Sequence, residues 1–282
     1  MTLYIRSLLS NKKYRKLLIQ LLYKMTRKRF RDEMDNFLSK FNKDDIVFYN
    51  NIQKYVKHSA YSNSETVISE IDKIRALSRQ RHLFSYLEFR RKHISSYLDI
   101  GSNNGLITGQ IGKSLGLNKE SIHGIDIGDF YGTLTNLAQN VTYKTYNGYS
   151  IPYEDDAFDL ITAFQVLHHV SKLEELMTDI KRVLRKGGYL FIREHDLIDE
   201  QHRVIIDMEH VIYDIGDKGK FDEGFLRKYY AKYLRKDEWE SLLGKYGFIK
   251  VNVNNKHVNR IKNKLLTNNP TKYYYELFQL NK

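Results

Sequence analysis

The period of the apolar positions changes along this chain. Leu17, Leu18, Leu21, Leu22 and Met25 recur at helical spacing, as do Phe30, Met34, Phe37, Leu38 and Phe41, which predicts two or three amphipathic helices over residues 1 to about 58. "SNSETVISEID" then offers Ser62 and Glu65 as a capping box, with Val67, Ile71 and Ile74 on one face. Helical character continues to about Lys92. From Ser96 short apolar runs alternate with helical stretches, a texture that predicts a parallel sheet with helices on both faces.

Strands are expected at 96–100, 122–126, 141–145, 158–164, 188–193, 248–254 and 272–280. Before the fifth, Leu173, Leu176, Met177, Ile180, Val183 and Leu184 form a helical stripe. Ser171 and Glu174 are its expected capping box, Lys181, Arg182, Arg185 and Lys186 suit its negative end, and Gly187 and Gly188 are its expected stop. "KDEWESLLGKYGF" is the last helix. No crossover helix separates the last two strands, which allows an antiparallel final pair. The expected organisation is a helical extension over 1–58, a helical lead-in over 59–95 and an α/β domain over 96–282.

The net charge of +12 changes this picture because it is unevenly placed. Residues 1–31 hold ten basic side chains, from Arg6 to Arg31, and no acid, leaving 36 basic against 34 acidic residues in the remainder. Such an arm meets phosphates or an anionic surface, or it is a solvated helix face. Its acid-poor, amphipathic character also resembles an organelle transit peptide, although the pattern runs on without a cleavage-like break. The chain has no cysteine, which excludes disulfides, thiolate metal sites and cysteine nucleophiles and fits a cytoplasmic location. No apolar run reaches the ~18 residues that span a bilayer.

The candidate chemistry begins at "YLDIGSNNG", residues 97–105, followed by "LITGQIGKSLG", in which Leu106, Ile107, Gln110 and Ile111 are spaced for a helix. Strand, tight turn and helix deliver backbone N–H groups to a ligand. "HGIDIG" sets Asp126 at the end of the next strand, where an acid can accept both ribose hydroxyls of an adenosine-containing cofactor. "NGYSIPYEDDAFDLITAFQVLHHV" and "LMTDIKRVLRKGGYLFIREHD" follow in order.

Together these motifs resemble the class I S-adenosylmethionine-dependent methyltransferases, closest to the type-11 group, over residues 97 to about 194. The resemblance implies a Rossmann-like, seven-stranded, mostly parallel sheet with an antiparallel last strand, and S-adenosylmethionine as cofactor. It implies that Asp99, Gly101, Ser102, Asn103 and Gly105 form the loop around the methionine part. Asp126 would hold the ribose, with Ile127 against the adenine. Asn147, where the family usually has Asp, would approach the adenine amino group beside Gly148, and Gln165 would line the pocket near the amino acid moiety. Asp159 and His169 are expected to be structural. Asn103 stands where the family has its middle glycine; Asn tolerates the left-handed conformation, and some RNA-end methyltransferases also carry Asn here.

The acceptor would arrive over the carboxyl ends of the fourth and fifth strands, where the sequence places "REHDLIDEQHRVIIDMEHVIYD". Glu194 and His195 are the catalytic candidates, His195 as base. Asp196, Glu209, His210 and Tyr213 are the expected substrate wall, Glu209 and Tyr213 lying one helical turn apart. His195, His202 and His210 are metal-competent by type alone, and no metal is expected. A nucleic-acid acceptor, RNA or its 5′ end, is the leading expectation, from the basic arm and the 22 tyrosines available for stacking. The alternatives are a small-molecule or lipid-like acceptor, and a catalytically silent subunit that stimulates a protein partner.

Overall fold

The computed structural model describes residues 70–128, 138–218, 229–253 and 269–281, with positions 13, 16–18, 20 and 21. The helices expected over residues 22–58 and the capping box at Ser62 lie outside the described residues. The chain divides into two compact units. One comprises residues 66–194, 230–267 and 273–282; the other comprises 1–65, 195–229 and 268–272.

In the first unit, helix α1 (Glu70–Leu87) and a 3-10 segment (Glu88–His93) lead into strand β1 (Tyr97–Ile100). There follow α2 (Leu106–Leu115), β2 (Ile122–Asp126), β3 (Thr142–Thr145), β4 (Phe158–Phe164), α3 (Leu173–Val183) and β5 (Leu184–His195). Helix α4 (Glu200–Lys218) belongs to the second unit; α5 (Lys236–Lys245), β6 (Phe248–Lys250) and β7 (Tyr273–Leu280) return to the first. The strands make one sheet in the order β3-β2-β1-β4-β5-β7-β6. Pairing from β3 to β5 is parallel, and β6 runs antiparallel to β7, the final pairing the sequence allowed.

Strand alternation sorts the sheet into two cores. Leu98, Ile100, Ile161, Ala163, Leu190, Ile192 and Phe278 face α3 and α5, whose Leu176, Met177, Ile180, Trp239 and Leu243 are fully buried. Tyr97, Leu160, Phe191, Tyr275 and Leu277 face the other way, onto Leu83, Tyr86 and Leu87 of α1 and Ile111 of α2. Each such side chain removed from water contributes roughly 1.5–3 kcal/mol. The α1 core face is thus Ala76, Leu83, Tyr86 and Leu87, and Ile74 is 64% exposed on the opposite side.

Helix α3 departs from expectation at both ends. Its N-cap is Lys172, with no side-chain cap bond, rather than Ser171. It ends at Val183, before the glycines, and β5 starts at Leu184. Lys181 and Arg182 lie in its last turn as expected, but Arg182 has further partners. Arg182 bonds Asp179 at 2.8 Å, Asp155 at 2.9 Å and the carbonyls of Tyr153 and Ile151 at 2.7 and 2.9 Å, locking the loop before β4 to the helix.

Candidate active site

The turn after β1 is built by left-handed residues. Gly101 has φ +72°, and a Cβ there would lie 2.3 Å from Val166 Cγ2, so only glycine fits. Its N–H and that of Ser102 both donate to Ile125 O, at 2.8 and 3.1 Å, which ties the turn to β2. Asn103 has φ +49°, the left-handed conformation its glycine-like position called for. Gly105, φ +70°, caps α2, and its N–H donates to Ser102 O at 2.9 Å.

Asp99 sits under this turn rather than on its surface. Thr108 Oγ1 donates to one of its oxygens at 2.6 Å and Thr162 Oγ1 to the other at 2.5 Å, joining β1, α2 and β4. Burial pushes its pKa up to about 7 against those two hydrogen bonds.

Asp126, at the end of β2, is partly exposed. Its Oδ2 accepts the Asn103 N–H at 2.8 Å and its Oδ1 the Ile127 N–H at 2.7 Å. Each ionised oxygen has a second acceptor site, so the carboxylate can hold the turn and a ligand diol together. Ile127 is 70% exposed beside it. Tyr146 N donates to Asp126 O at 3.0 Å, which brings the next loop alongside. There Asn147 Oδ1 accepts the N–H groups of Tyr149 and Ser150 at 3.1 and 2.8 Å, and Gly148 has φ +91°. The carbonyl of Asn147 therefore serves its own loop, and its amide is the group left to meet a ligand. Gln165, just past β4 with φ +61°, takes a hydrogen bond on Oε1 from Arg193.

On the other face of β5, Glu194 is fully buried. Its carboxylate accepts the Leu167 N–H at 2.9 Å and lies 2.5 Å from His168 Nδ1. Burial pushes Glu194 up to about 8, partly offset by the Leu167 N–H. His169 Nδ1 donates to Tyr230 O at 3.0 Å. Asp159 accepts hydrogen bonds from the N–H groups and hydroxyls of Ser95 and Ser96 and from Arg185. Burial alone would raise Asp159; the hydrogen bonds from Ser95, Arg185 and Ser96 outweigh it and hold its pKa below the usual range. Both residues fix loops, as expected.

In the second unit, His195 is buried and its Nδ1 donates to Thr271 O at 2.8 Å, which makes Nε2 the basic nitrogen of the neutral ring. Nε2 lies 4.0 Å from Glu209 Oε2, and the His210 ring is 5.9 Å away between centroids. Asp196 N donates to Lys272 O at 2.8 Å. The fold thus brings His195, Glu209 and His210 together; the side chain of Tyr213 lies outside the described residues. Both nitrogens of His202 serve the backbone: Nδ1 accepts from Ile198 N at 3.3 Å and Nε2 donates to Pro270 O at 2.9 Å. Asp199, unnoticed in the sequence, caps α4 by accepting the His202 N–H at 2.8 Å. Sequence reading also missed the Thr108 and Thr162 hydroxyls under the turn, and Arg193, although an arginine inside the apolar run "LFIREH" was a visible signal.

This sheet order, with a left-handed turn after β1 hydrogen-bonded to a carboxylate ending β2, is the Rossmann-like arrangement that the resemblance to class I methyltransferases implied. Residues 98–192 match the family model described as a methyltransferase domain. The chain is 30% identical over 106 residues to a highly reducing polyketide synthase of Penicillium polonicum, covering 34% of this chain and 4% of the synthase. It is 25% identical over 149 residues to a sterol 24-C-methyltransferase of Gibberella zeae, covering 48% of this chain and 38% of that one. The chain therefore spans much less than two thirds of these relatives. The CurJ carbon methyltransferase structure aligns at 18% identity with a TM-score of 0.49, over 98% of this chain and 70% of that one. The donor set fits the cofactor's needs: a carboxylate with spare acceptor sites for a diol, and a turn held open by two positive-φ glycines. Among the described residues no helix is long and apolar enough to cross a membrane.

Proposed function

We propose that this chain transfers the methyl group of S-adenosylmethionine to an acceptor approaching over the carboxyl ends of β4 and β5. One observation carries the reading: Asp126 bridges the Asn103 turn and the start of the next loop while keeping acceptor capacity for two hydroxyls. When bound, the cofactor supplies an activated sulfonium methyl, so the protein's work is alignment and water exclusion. Asp126 binds the ribose; Gly101, Ser102, Asn103 and Gly105, braced from below by Asp99, shape the methionine subsite. Asn147 and Gly148 edge the adenine with Ile127, and Gln165 faces the amino acid end. Glu194 is a positioning residue that holds the Leu167–His169 turn. His195 is the base, its Nδ1–H held by the Thr271 carbonyl; Asp196, Glu209 and His210 are the residues assigned to the acceptor. Titration with S-adenosylhomocysteine tests the cofactor half: saturable one-to-one binding is expected, and its absence would refute the reading.

For the acceptor, the matched relatives' names, a polyketide synthase and a sterol methyltransferase, favour a small molecule or lipid-like compound. A second reading, RNA or its 5′ end in the cytoplasm, is favoured by the ten basic and no acidic residues of positions 1–31. Single-stranded RNA held by that arm would lose affinity with salt, with a log–log slope near roughly −0.7 per phosphate contact. Deleting the arm would flatten that slope without weakening cofactor binding. An unchanged slope would remove the arm as the anchor.

A further inference from the structure

Two arginines of the first unit meet where no acid among the described residues balances them. Arg193, on β5, is 6% exposed, and its guanidinium stacks 3.8 Å above the Tyr273 ring. Arg79, on α1, donates to Tyr275 Oη at 2.6 Å and lies 5.7 Å from that ring's centroid. Arg193 Nη1 is held by Gln165 Oε1. In both side chains Nε is buried without a hydrogen-bond partner, and neither forms an ion pair among the described residues. The nearest acid in sequence, Glu194, projects to the opposite face of the strand and is occupied by Leu167 and His168.

Burying an unpaired cation is costly, and burying two side by side more so. Arg79 registers this: burial first and the Arg193 charge second push its pKa down to about 10. A guanidinium held at one Nη and unsatisfied at Nε presents the edge that grips a carboxylate with two parallel hydrogen bonds. Position in the sheet separates this edge from the ribose subsite. Asp126 ends β2, whereas Arg193 and Tyr273 lie on β5 and β7, three and four strands along the order. At about 4.8 Å per strand that is roughly 14–19 Å, beyond the adenosine half of the cofactor and toward the acceptor side.

We propose that Arg79 and Arg193, framed by Tyr273, Tyr275 and Gln165, bind a carboxylate carried by the methyl acceptor. The site rests on the methyl-transfer reading and narrows it to acidic acceptors. Tyr273 supplies a flat wall beneath the carboxylate's guanidinium partner, and Gln165 links the anion site to the end of β4.

The test uses the full chain saturated with S-adenosylhomocysteine, with sodium succinate as probe and succinamide as its uncharged counterpart at matched ionic strength. Succinate is expected to bind and to raise the unfolding midpoint, and succinamide to do neither. Arg193→Gln and Arg79→Gln are each expected to weaken succinate binding about tenfold or more, as loss of a charge-assisted pair implies. Affinity for S-adenosylhomocysteine is expected to stay within about twofold. Arg79 is less buried than Arg193, so its variant keeps the test intact if Arg193→Gln misfolds. Equal binding of succinate and succinamide, or unchanged succinate binding in a folded variant, would overturn the proposal. So would a parallel loss of S-adenosylhomocysteine affinity, which would assign the arginines to the cofactor's own carboxylate. Failure of the wild type to bind S-adenosylhomocysteine would sink the methyl-transfer reading instead, while succinate titration of the free protein still reads the arginine pair.

Discussion

Replacing Asp126 by alanine removes one carboxylate that does two jobs. In the structure its oxygens accept the Asn103 and Ile127 N–H groups at 2.8 and 2.7 Å, and the remaining acceptor sites are those assigned to the ribose diol. Hydrogen bonds to an ionised group are worth roughly 1.5–3 kcal/mol net, which corresponds to about 12–150-fold in affinity. Release of the Asn103 N–H adds to this, because the left-handed turn loses its outer tether. Asp126→Ala is therefore expected to weaken S-adenosylhomocysteine binding into or beyond that range. Asp126→Asn, which keeps one acceptor oxygen, is expected to fall between it and the wild type. Calorimetric titration measures both, with the unfolding midpoint as a check that each variant is folded. A folded Asp126→Ala protein binding within about twofold of wild type would refute the assignment of the ribose to this carboxylate.

Gly101→Ala is expected to destabilise the protein by roughly 1–3 kcal/mol, from positive φ and the clash with Val166, read as a lower urea midpoint; an unchanged midpoint would contradict the turn geometry. Asn103→Gly is expected to preserve cofactor affinity and Asn103→Val to reduce it, since a β-branched residue resists φ +49°; equal affinities would show the position to be unconstrained. Asp99, raised to about 7, stays protonated in the fold while the unfolded chain ionises near 4. Its contribution is thus full below about pH 4 and lost as pH rises toward 7, and Asp99→Asn should flatten that part of the stability profile in urea melts at pH 5 and pH 7.5. A steeper fall in the variant would reverse the sign of the argument.

Much of this architecture was legible because it rests on short-range signals. The apolar runs of β1, β2, β4 and β7 alternate or fill completely, and their ends fall within a residue of expectation. Asn103 and Asp126 could be placed because a turn between a strand and a helix constrains backbone conformation locally. The errors have long-range causes. Helix α3 stops at Val183, where β5 already pairs through Leu184 with Phe158 of β4, a contact that no helix-stop residue announces. The Arg79–Arg193 pair joins side chains 114 positions apart, on a helix and a strand that meet only when the sheet is covered. The buried state of Glu194 and His195 was equally unreadable, since "REHD" looks like a polar strand end. Glu194 is instead occupied by the Leu167 N–H and His168, and His195 is held through Nδ1 by the Thr271 carbonyl.

The most direct measurement is methyl transfer itself, followed with methyl-labelled S-adenosylmethionine and separate metabolite, lipid and RNA fractions. The expected result is label incorporated into one fraction, with an equal amount of S-adenosylhomocysteine formed and both lost together in Asp126→Ala. If the acceptor is acidic, the label would lie in carboxylate-bearing small molecules and fall in Arg193→Gln. Saturable cofactor binding with no label in any fraction, and no S-adenosylhomocysteine formed, would contradict the claim that this site performs methyl transfer.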